Sequence, residues 1–446
     1  MARMDLLVTG GKVVTSGGVQ EMDVAVKDGR IAALVAPGLP LDAARTFDAR
    51  ARYILPGCVD VHVHTREPGQ AHKEDFATLT RAAAAGGITT IMCQPNTSPP
   101  INNRQVFHQA QDDWRKKALV DFAIQPLAEP GNVGEIPGLL EAGAISMEFL
   151  TADSTGPVLP EIMQAVHQHG GLSSISMGDG GYSQFMRQRL ELAGGKDMAA
   201  WLSAYPAITE AVGVARLLLL TEGTPYRFHF HMVTTRQGVE LIRRARQAGR
   251  DTFSVETSPK YLLLTEEDHL RMGPFSTVLP RFKSLDDNEA VWEGILDGTI
   301  DMIATDHAPH ARAEKERGLE DIWKAPSGVP EIELSLPLML TQVNRGRLSL
   351  GKLVALMAEN PARKYGIYPQ KGSVQVGADA DLVIVAMERE TVVDDAKLLT
   401  APKYSAFHGF PLKGLPVVTI LRGEVIMEEG KPASGPPRGR FVRPGP

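Results

Sequence analysis

Two histidines, His62 and His64, stand two residues apart in an apolar run that begins at Cys58. Residues two apart on a β-strand project from the same face, so both imidazoles and the Asp60 carboxylate are expected side by side. Neutral imidazole nitrogen is a good zinc ligand. About 0.3 His-x-His pairs are expected by chance from this histidine content, whereas the chain has three. The spacing favours half of a metal site over two hydrogen-bonded core histidines.

The other two His-x-His pairs differ in their setting. His229 and His231 alternate on a predicted strand, and His231 lies nearer its C-terminal end. A single such histidine is more often a satisfied core residue, but a second imidazole pair in the chain favours a site role for His231. His167 and His169 end a predicted helix, where residues two apart do not share a face. They are expected at the surface.

A third group of polar residues follows the run Ala304-Thr-Asp-His-Ala-Pro-His. Asp306 in this run is a candidate metal ligand or a general base for an attacking water, with a helix cap as the ordinary alternative. His307 and His310 follow it closely. Arg66 and Asn96 stand just after two other predicted strands. A guanidinium with an amide donor suits a substrate carboxylate, although such residues also tie loops together.

These candidates need a scaffold that brings distant strand ends together. Between residues 56 and 365, apolar strand-like runs alternate with helical stretches, which is typical of a (β/α)₈ barrel of the TIM type, with its chemistry at the C-terminal strand ends. The predicted strands cover 58–64, 89–93, 120–124, 146–150, 172–176, 227–232, 252–256 and 302–306. The clearest predicted helices cover 75–85, 159–168, 210–220, 236–248 and 289–296.

The two ends of the chain have a different pattern. Residues 5–55 alternate short β-like runs with Gly-containing turns, and valine and glycine dominate again after residue 372. We expect residues 1–55 and 366–446 to form one small composite β-sandwich domain beside a barrel domain of residues 56–365. A length of 446 residues suits this arrangement as well as two or three medium domains.

Composition excludes some function classes. A net charge of −6 gives no basic surface for nucleic acid or for an anionic membrane. The sequence has no signal-peptide pattern and no uninterrupted apolar run of 18 residues. Cys58 and Cys93 lie in apolar stretches and imply no disulfide framework. A cytoplasmic protein that forms a dimer or tetramer is expected.

Several of these runs together resemble one enzyme family. Asp60-Val-His-Val-His-Thr-Arg-Glu-Pro-Gly, Pro95-Asn-Thr, Ala304-Thr-Asp-His-Ala-Pro-His and Gly377-Ala-Asp-Ala-Asp-Leu-Val are similar to the dihydroorotase, allantoinase and hydantoinase branch of the amidohydrolase superfamily, dihydroorotase most of all. The resemblance implies hydrolysis of a small cyclic amide or ureide by metal-activated water. It implies Asp306 as metal-bound general base, and Arg66, Asn96 and His310 as contacts of a carboxylate-bearing substrate.

The chain also departs from that family. Glu148 stands where relatives carry a carbamylated lysine that bridges two metals, and Ser176 stands where a histidine ligand is usual. Lys260 replaces a histidine of many relatives. Pro280-Arg-Phe-Lys replaces their Pro-Pro-Leu-Arg.

The departures shape the expected metal site. His62, His64 and Asp306 remain as three ligands with room for water, whereas the second position keeps His231 and, if the strand or the metal shifts, Glu148. We expect one Zn²⁺ per chain rather than two, with other divalent metals possible. Asp306 would act as base, and the metal or His231 would polarise the amide carbonyl. Two alternatives stay open: a catalytically silent homologue that assembles with a partner enzyme, and a changed reaction that uses Lys260 or Glu148.

Overall fold

The computed structural model describes residues 3–150 and 158–445. In these residues the strands are β1 (Met4–Thr9), β2 (Lys12–Thr15), β3 (Gly18–Glu21), β4 (Asp23–Lys27), β5 (Arg30–Val35), β6 (Ala43–Asp48), β7 (Tyr53–Pro56), β8 (Cys58–Val63), β9 (Ile88–Cys93), β10 (Asp121–Ile124), β11 (Met147–Phe149), β12 (Ser173–Ser176), β13 (Phe228–His231), β14 (Phe253–Thr257), β15 (Met302–Ile303), β16 (Leu382–Val392), β17 (Pro411–Leu421), β18 (Glu424–Glu428) and β19 (Lys431–Pro432).

The α-helices of the same residues are α1 (Phe76–Ala85), α2 (Arg104–Arg115), α3 (Ile136–Glu141), α4 (Leu159–Gln168), α5 (Gly180–Leu192), α6 (Met198–Ala204), α7 (Ile208–Leu220), α8 (Arg236–Gln247), α9 (Pro259–Leu263), α10 (Glu266–Met272), α11 (Leu285–Asp297), α12 (Arg312–Glu316), α13 (Ser335–Asn344), α14 (Leu350–Val354) and α15 (Asn360–Lys364). Short 3₁₀ helices cover Pro130–Glu135, Gly273–Ser276, Arg317–Leu319, Ile322–Lys324 and Asp395–Lys397, and a π-helical turn covers Ala355–Glu359.

Strands β8 to β15 form the barrel. Parallel pairing joins β8, β9 and β10 in one run and β11 to β15 in another. Bridges between Leu127 and Glu148 and between Val63 and His307 join the two runs at both ends, so the sheet closes on itself. The predicted (β/α)₈ barrel is confirmed, and it brings the C-terminal ends of all eight strands to one face.

Helix boundaries follow capping side chains. Helix α11 begins four residues before the predicted start because the Ser284 hydroxyl accepts the N–H of Asp287 while the Asp287 carboxylate reaches back to the N–H of Ser284. This reciprocal arrangement satisfies two backbone donors that a helix leaves unpaired. Helix α1 begins in the same way, with the Asp75 carboxylate accepting the N–H of Thr78.

The eighth barrel strand is shorter than predicted. It ends at Ile303 rather than at residue 306, because the Asp60 carboxylate accepts both the N–H of Thr305 and its hydroxyl proton. A side chain thus takes the place of the strand ladder, and Asp306 follows with a left-handed φ of 46°. Non-glycine residues rarely adopt this conformation, and they do so mostly at functional sites.

The two ends of the chain form a pair of β-sheets beside the barrel. One sheet has the order β5-β4-β1-β6, and the other has the order β19-β18-β17-β16-β7-β2-β3. Strand β7 pairs antiparallel with β16, so the two ends of the chain share one sheet. Buried aliphatic side chains fill the space between the sheets, among them Val8, Val24, Ile54, Leu382 and Ile420. The β-sandwich formed by both termini is confirmed, and its boundaries at residues 55 and 366 stay predictions.

Helices α6 and α7 form the most hydrophobic helical region that the structure describes. Residues Met198–Leu220 have a mean hydropathy of 1.2 over an 18-residue window, enough by length and composition alone to cross a membrane. The structure divides this region at residues 205–207 into two separate helices. Helix α6 packs on α5 and α10, and α7 packs on α8, as core helices of globular proteins do. The composition is therefore weak evidence for a membrane span.

Candidate active site

Three imidazoles meet at the C-terminal face of the barrel. His62 lies on β8, His64 follows that strand, and His231 ends β13. The ring centroids of His62 and His64 are 5.1 Å apart, and those of His62 and His231 are 4.2 Å apart. His62 and His231 are buried, while His64 is partly exposed to the adjoining cavities. The barrel therefore brings together rings that are up to 169 residues apart in sequence.

Asp306 completes a compact set of candidate ligands with two of these rings. Its Oδ1 lies 3.0 Å from His64 Nε2 and 3.5 Å from His62 Nε2. The ligand atoms of the three residues all lie within 4.8 Å of one another. Two imidazole nitrogens and one carboxylate oxygen are the donor set of a three-ligand catalytic metal site with an open position.

Hydrogen bonds at the opposite ring nitrogen of each histidine turn these ligand atoms toward one point. His62 Nδ1 donates to Glu256 Oε1 at 2.6 Å, and His64 Nδ1 donates to the amide oxygen of Asn96 at 2.8 Å. Each ring then presents an unprotonated Nε2 toward the Asp306 carboxylate. Three electron-pair donors that converge with no proton between them repel one another unless a cation lies among them. The donor set therefore fits a divalent metal ion.

The carboxylate of Asp306 lies between the two imidazoles at Oδ1 and an ammonium group near Oδ2. Lys260, fully buried, lies 3.6 Å from Asp306 Oδ2 and is itself held by Glu331 at 3.2 Å. Oδ2 is buried and accepts no hydrogen bond among the described residues. Burial alone would raise the pKa of Asp306, but the nearby ammonium of Lys260 outweighs it and holds this pKa well below its usual range. Asp306 is therefore ionised.

Glu256 is the site residue that the sequence patterns missed. Its Oε1 accepts from Nδ1 of His62 and, at 2.8 Å, from Nδ1 of His231, while its Oε2 accepts from Nε2 of His229 at 3.0 Å. Burial opposes its ionisation, but His231 and His62 hold the pKa of Glu256 well below its usual range. Glu256 ends a predicted strand beside one that carries two histidines, but the sequence does not distinguish an acidic residue that orients a histidine from one that faces solvent.

The second metal position of relatives holds a hydrogen-bonded pair here. His231 Nε2 lies 2.7 Å from Glu148 Oε2, so both nitrogens of His231 are engaged by carboxylates. Burial would lower the pKa of His231, but Glu148 and Glu256 raise it to about 10. Ser176 pairs in register with His231 on the neighbouring strand. The structure therefore brings Glu148 to His231, but it does not bring Glu148 into the group of His62, His64 and Asp306.

Arg66 lies in a compartment beside this group. A cavity of about 330 Å³ is lined by Arg66, Asn96, Lys73 and His310 together with His64 and Asp306. Arg66 is buried, and its Nε donates to the backbone oxygen of Pro309 at 2.8 Å. That bond and a 3.3 Å contact between Nη2 and His310 Nε2 position the guanidinium, while Nη1 makes no hydrogen bond within the described residues and stays available to a ligand. Burial lowers the pKa of Arg66 to about 10, which leaves it a cation at neutral pH.

His310 faces the same compartment as a neutral ring. Its Nε2 donates to the backbone oxygen of Ser327 at 2.9 Å. Burial and the neighbouring Arg66 lower its pKa to about 2. Its Nδ1 is buried 3.6 Å from Glu314 Oε2 and makes no hydrogen bond in the described part of the chain, and as the unprotonated ring nitrogen it can act only as an acceptor. His307, in contrast, is tied to Glu74 at 2.7 Å and to the backbone N–H of Glu331, outside the cluster.

Comparisons with known proteins agree with this geometry. Residues 51–238 match the family model described as Dihydro-orotase-like, and residues 231–426 match the Amidohydrolase family. An L-hydantoinase from Paenarthrobacter aurescens is 38% identical over 448 residues, with 98% of each chain covered. The chain belongs to the dihydroorotase, allantoinase and hydantoinase branch of the amidohydrolase superfamily.

Other members of this branch are similar along nearly the whole chain. A dihydroorotase from Bacillus cereus (strain AH820) is 34% identical over 433 residues, covering 96% of this chain and 99% of the relative. The solved structure of an L-hydantoinase (dihydropyrimidinase) from Arthrobacter aurescens has a TM-score of 0.94 at 37% identity and covers 99% and 100% of the two chains. The dihydroorotase-like motifs and the higher overall identity with an L-hydantoinase both lie within this branch.

Family membership settles part of the functional prediction. The expectation of an amidohydrolase that acts on C–N bonds in cyclic amides is confirmed at the level of the family, and members of this family are metal-dependent. The alternative of a catalytically silent homologue gains no support from these relatives. The roles of individual site residues, the number of metals, the dimer or tetramer and the cytoplasmic location stay predictions.

Proposed function

We propose that the protein hydrolyses a small cyclic amide or ureide that carries a carboxylate, with one divalent metal ion per chain, zinc in the first instance. The observation that supports this proposal is that the metal-ligand candidates and a buried cation line one cavity. The same cavity is lined by the ligand candidates His64 and Asp306 and by the buried cation Arg66. A ring held by its carboxylate at Arg66 would therefore present an amide bond to the metal group.

The metal ligands of this proposal are His62, His64 and Asp306. A divalent ion bound there would act as a Lewis acid toward the amide carbonyl and lower the pKa of water. The site is assigned one metal because His231, the remaining histidine, already donates to Glu148 and Glu256 through its two nitrogens. Ser176 supplies no imidazole beside it, so a second position would lack a normal ligand set.

In this proposal, Asp306 is the general base that accepts a proton from the attacking water. Its Oδ2 is buried and free of hydrogen bonds among the described residues, while Oδ1 faces the two histidines. A carboxylate whose pKa is held low is a weak base. Its contribution therefore includes orienting the attacking water as well as accepting the proton. Lys260 fixes the position of Asp306 from behind and does not reach the cavity surface.

Three residues would hold the substrate. Arg66 offers its guanidinium to the carboxylate. Asn96 gives its amide oxygen to His64, so only its NH₂ group is left to donate to the substrate. His310 offers Nδ1 as an acceptor to a ring N–H. Asn96 was expected to contact the substrate, and in this proposal it also orients the metal ligand His64.

Metal content and turnover test the proposal together. Elemental analysis of protein purified without chelator is expected to give close to one divalent ion per chain, and His62→Ala is expected to lower that content. A panel of cyclic amides with and without a ring carboxylate would then be assayed for ring opening. Arg66→Met is expected to raise KM for the acidic members about 10- to 100-fold, since a hydrogen bond between charged groups contributes about 1.5–3 kcal/mol.

The controls separate the parts of the proposal. The same Arg66→Met variant should leave KM for the neutral panel members within about twofold, because those compounds have no partner for the guanidinium. Two metals per chain would refute the single-metal assignment. Absence of turnover across the panel by fully metal-loaded protein would refute the hydrolytic proposal itself.

A further inference from the structure

A second compartment, which Arg66 does not line, opens from the metal group. This cavity, of about 560 Å³, is lined by His62, His64, His231 and Asp306 at its inner end. Its walls combine apolar side chains, among them Met177, Met232 and Leu279, with polar and charged ones that include Asp179, Arg187, Glu210, Arg281 and Lys283. A five- or six-membered ring held at the metal group leaves most of this volume free. The cavity is therefore shaped for a substituent on the ring.

Lys283 stands in the wall of this cavity and has no partner among the residues that the structure describes. It is only 3% exposed, and its ammonium makes no hydrogen bond or ion pair within residues 3–150 and 158–445. The other buried lysines of that part of the chain are all satisfied. Lys260 is paired with Glu331, Lys371 with three aspartates, and Lys315 donates to backbone oxygens of Thr277 and Pro326. Lys283 is the exception.

The charged residues nearest to Lys283 are committed elsewhere. The Glu210 carboxylate accepts from the backbone N–H and the hydroxyl of both Thr234 and Thr235. Arg281, the neighbouring cation in the cavity wall, donates to the backbone oxygen of Tyr205 and to Glu266. Neither group neutralises the ammonium of Lys283 by direct contact.

The environment leaves Lys283 charged but poorly compensated. Burial lowers its pKa to about 8, with Glu210 opposing the shift and Arg281 assisting it. The amine is therefore mostly protonated at neutral pH. A buried ammonium without a counter-ion costs free energy, which an anionic ligand group in contact with it would recover.

We propose that Lys283 forms an anion subsite in this cavity, which accepts an acidic group at the end of an apolar substituent on the cyclic amide. The inference rests on the proposed function and names the substituent that the site selects. The apolar side chains of the wall would take the methylene chain, and Lys283 would take the terminal carboxylate.

A matched pair of ligands tests the subsite. Hydantoins with a 2-carboxyethyl or an isosteric 2-carbamoylethyl substituent differ only in charge at the chain end. Lys283→Met is expected to lower kcat/KM for the acid at least 10-fold relative to the amide, because the side chain keeps its volume and loses its charge. Lys283→Arg should restore most of the preference. Lys116→Met, the same change at an exposed helix α2 boundary residue, should behave as the wild type.

Direct binding separates this inference from the hydrolytic proposal. Calorimetric titration with the two hydantoins needs no turnover, so a Lys283-dependent preference for the acid would support the subsite even if neither compound is hydrolysed. An equal change in affinity for both compounds, or no change for either, would overturn it. Lys283→Met is also expected to raise the unfolding midpoint of the ligand-free protein, since an uncompensated buried charge is removed. A lowered midpoint would show that the ammonium has a structural partner and would refute the inference.

Discussion

The hydrogen bonds around Glu256 give the most discriminating prediction about the metal centre. This carboxylate accepts three imidazole N–H groups, and its Oε1 alone holds Nδ1 of both His62 and His231. Loss of such an outer contact typically lowers metal affinity 10- to 100-fold, which corresponds to about 1.4–2.8 kcal/mol. The size of the loss within this range depends on which imidazole N–H groups the substituted side chain can still accept.

Two substitutions at this position should therefore differ. In Glu256→Gln the amide oxygen can keep both contacts of Oε1, and the amide NH₂ can donate to Nε2 of His229. That ring can adopt the other tautomer, because its Nδ1 lies 2.7 Å from the hydroxyl of Ser254, which accepts as readily as it donates. We expect about a 10-fold loss of metal affinity. Glu256→Leu leaves the Nδ1 protons of His62 and His231 without acceptors, so about a 100-fold loss is expected, with about 1–3 kcal/mol of stability lost for each orphaned group.

The assay is competition for Zn²⁺ between each variant and a chromogenic chelator of known affinity. Glu333→Gln is the matched control, since Glu333 is a largely buried carboxylate that accepts backbone N–H groups of Leu399 and Thr400 away from the cluster. Its metal affinity should equal that of the wild type. If the glutamine and leucine variants at position 256 lose affinity equally, or if neither loses any, the orientation of His62 by Glu256 is refuted.

The remaining predictions concern stability and pH. Lys371→Met removes a buried ammonium from Asp121, Asp379 and Asp381, and should lower the free energy of unfolding in urea by about 3–5 kcal/mol. As a control, removal of the exposed Lys413 ammonium should lower it by at most about 1 kcal/mol. Equal losses in the two variants would refute the stabilising role of the buried Lys371 cluster. Burial, against the N–H groups of Leu399 and Thr400, raises the pKa of Glu333 to about 7 from an ordinary value of 4.5. The folded state therefore retains a proton that the unfolded chain releases between those values, so this residue lowers stability by up to about 3 kcal/mol as pH rises from 4.5 to 7. Glu333→Gln should be more stable relative to the wild type at pH 8 than at pH 5, and a constant difference between the two proteins would contradict the shift.

The local patterns predicted the scaffold because each element is determined by its own sequence. Helix α8 follows from apolar residues spaced at one face, and it was predicted to within one residue at its C-terminal end. Strand β8 follows from its continuous apolar run. The end of β15 could not be predicted, since it depends on the Asp60 carboxylate, which lies 245 residues away from Thr305 in sequence. Long-range side-chain bonds leave no local signal.

The candidate ligands were likewise predictable where chemistry and strand spacing coincide. His62 and His64 are two apart on one strand, and Asp306 follows another, so their types and the barrel topology together place them at one face. The role of Glu256 could not be predicted, because an acidic residue within a strand has the same appearance in sequence whether it binds metal, orients a histidine or faces solvent. Only the packing of β8, β13 and β14 decides which imidazoles it contacts.

The sequence by itself determined the barrel, the shared terminal sandwich and the residue types that can bind a metal. Hydrophobic periodicity and turn residues determine local structure over a few positions, so the sequence alone contains the information needed to predict these elements. The tertiary structure alone decided that His231 is engaged by Glu148 and Glu256 and that Lys283, in the wall of a cavity, has no partner among the described residues. Charge compensation depends on the distances between side chains from separate strands and loops, and those distances exist only once the barrel has closed.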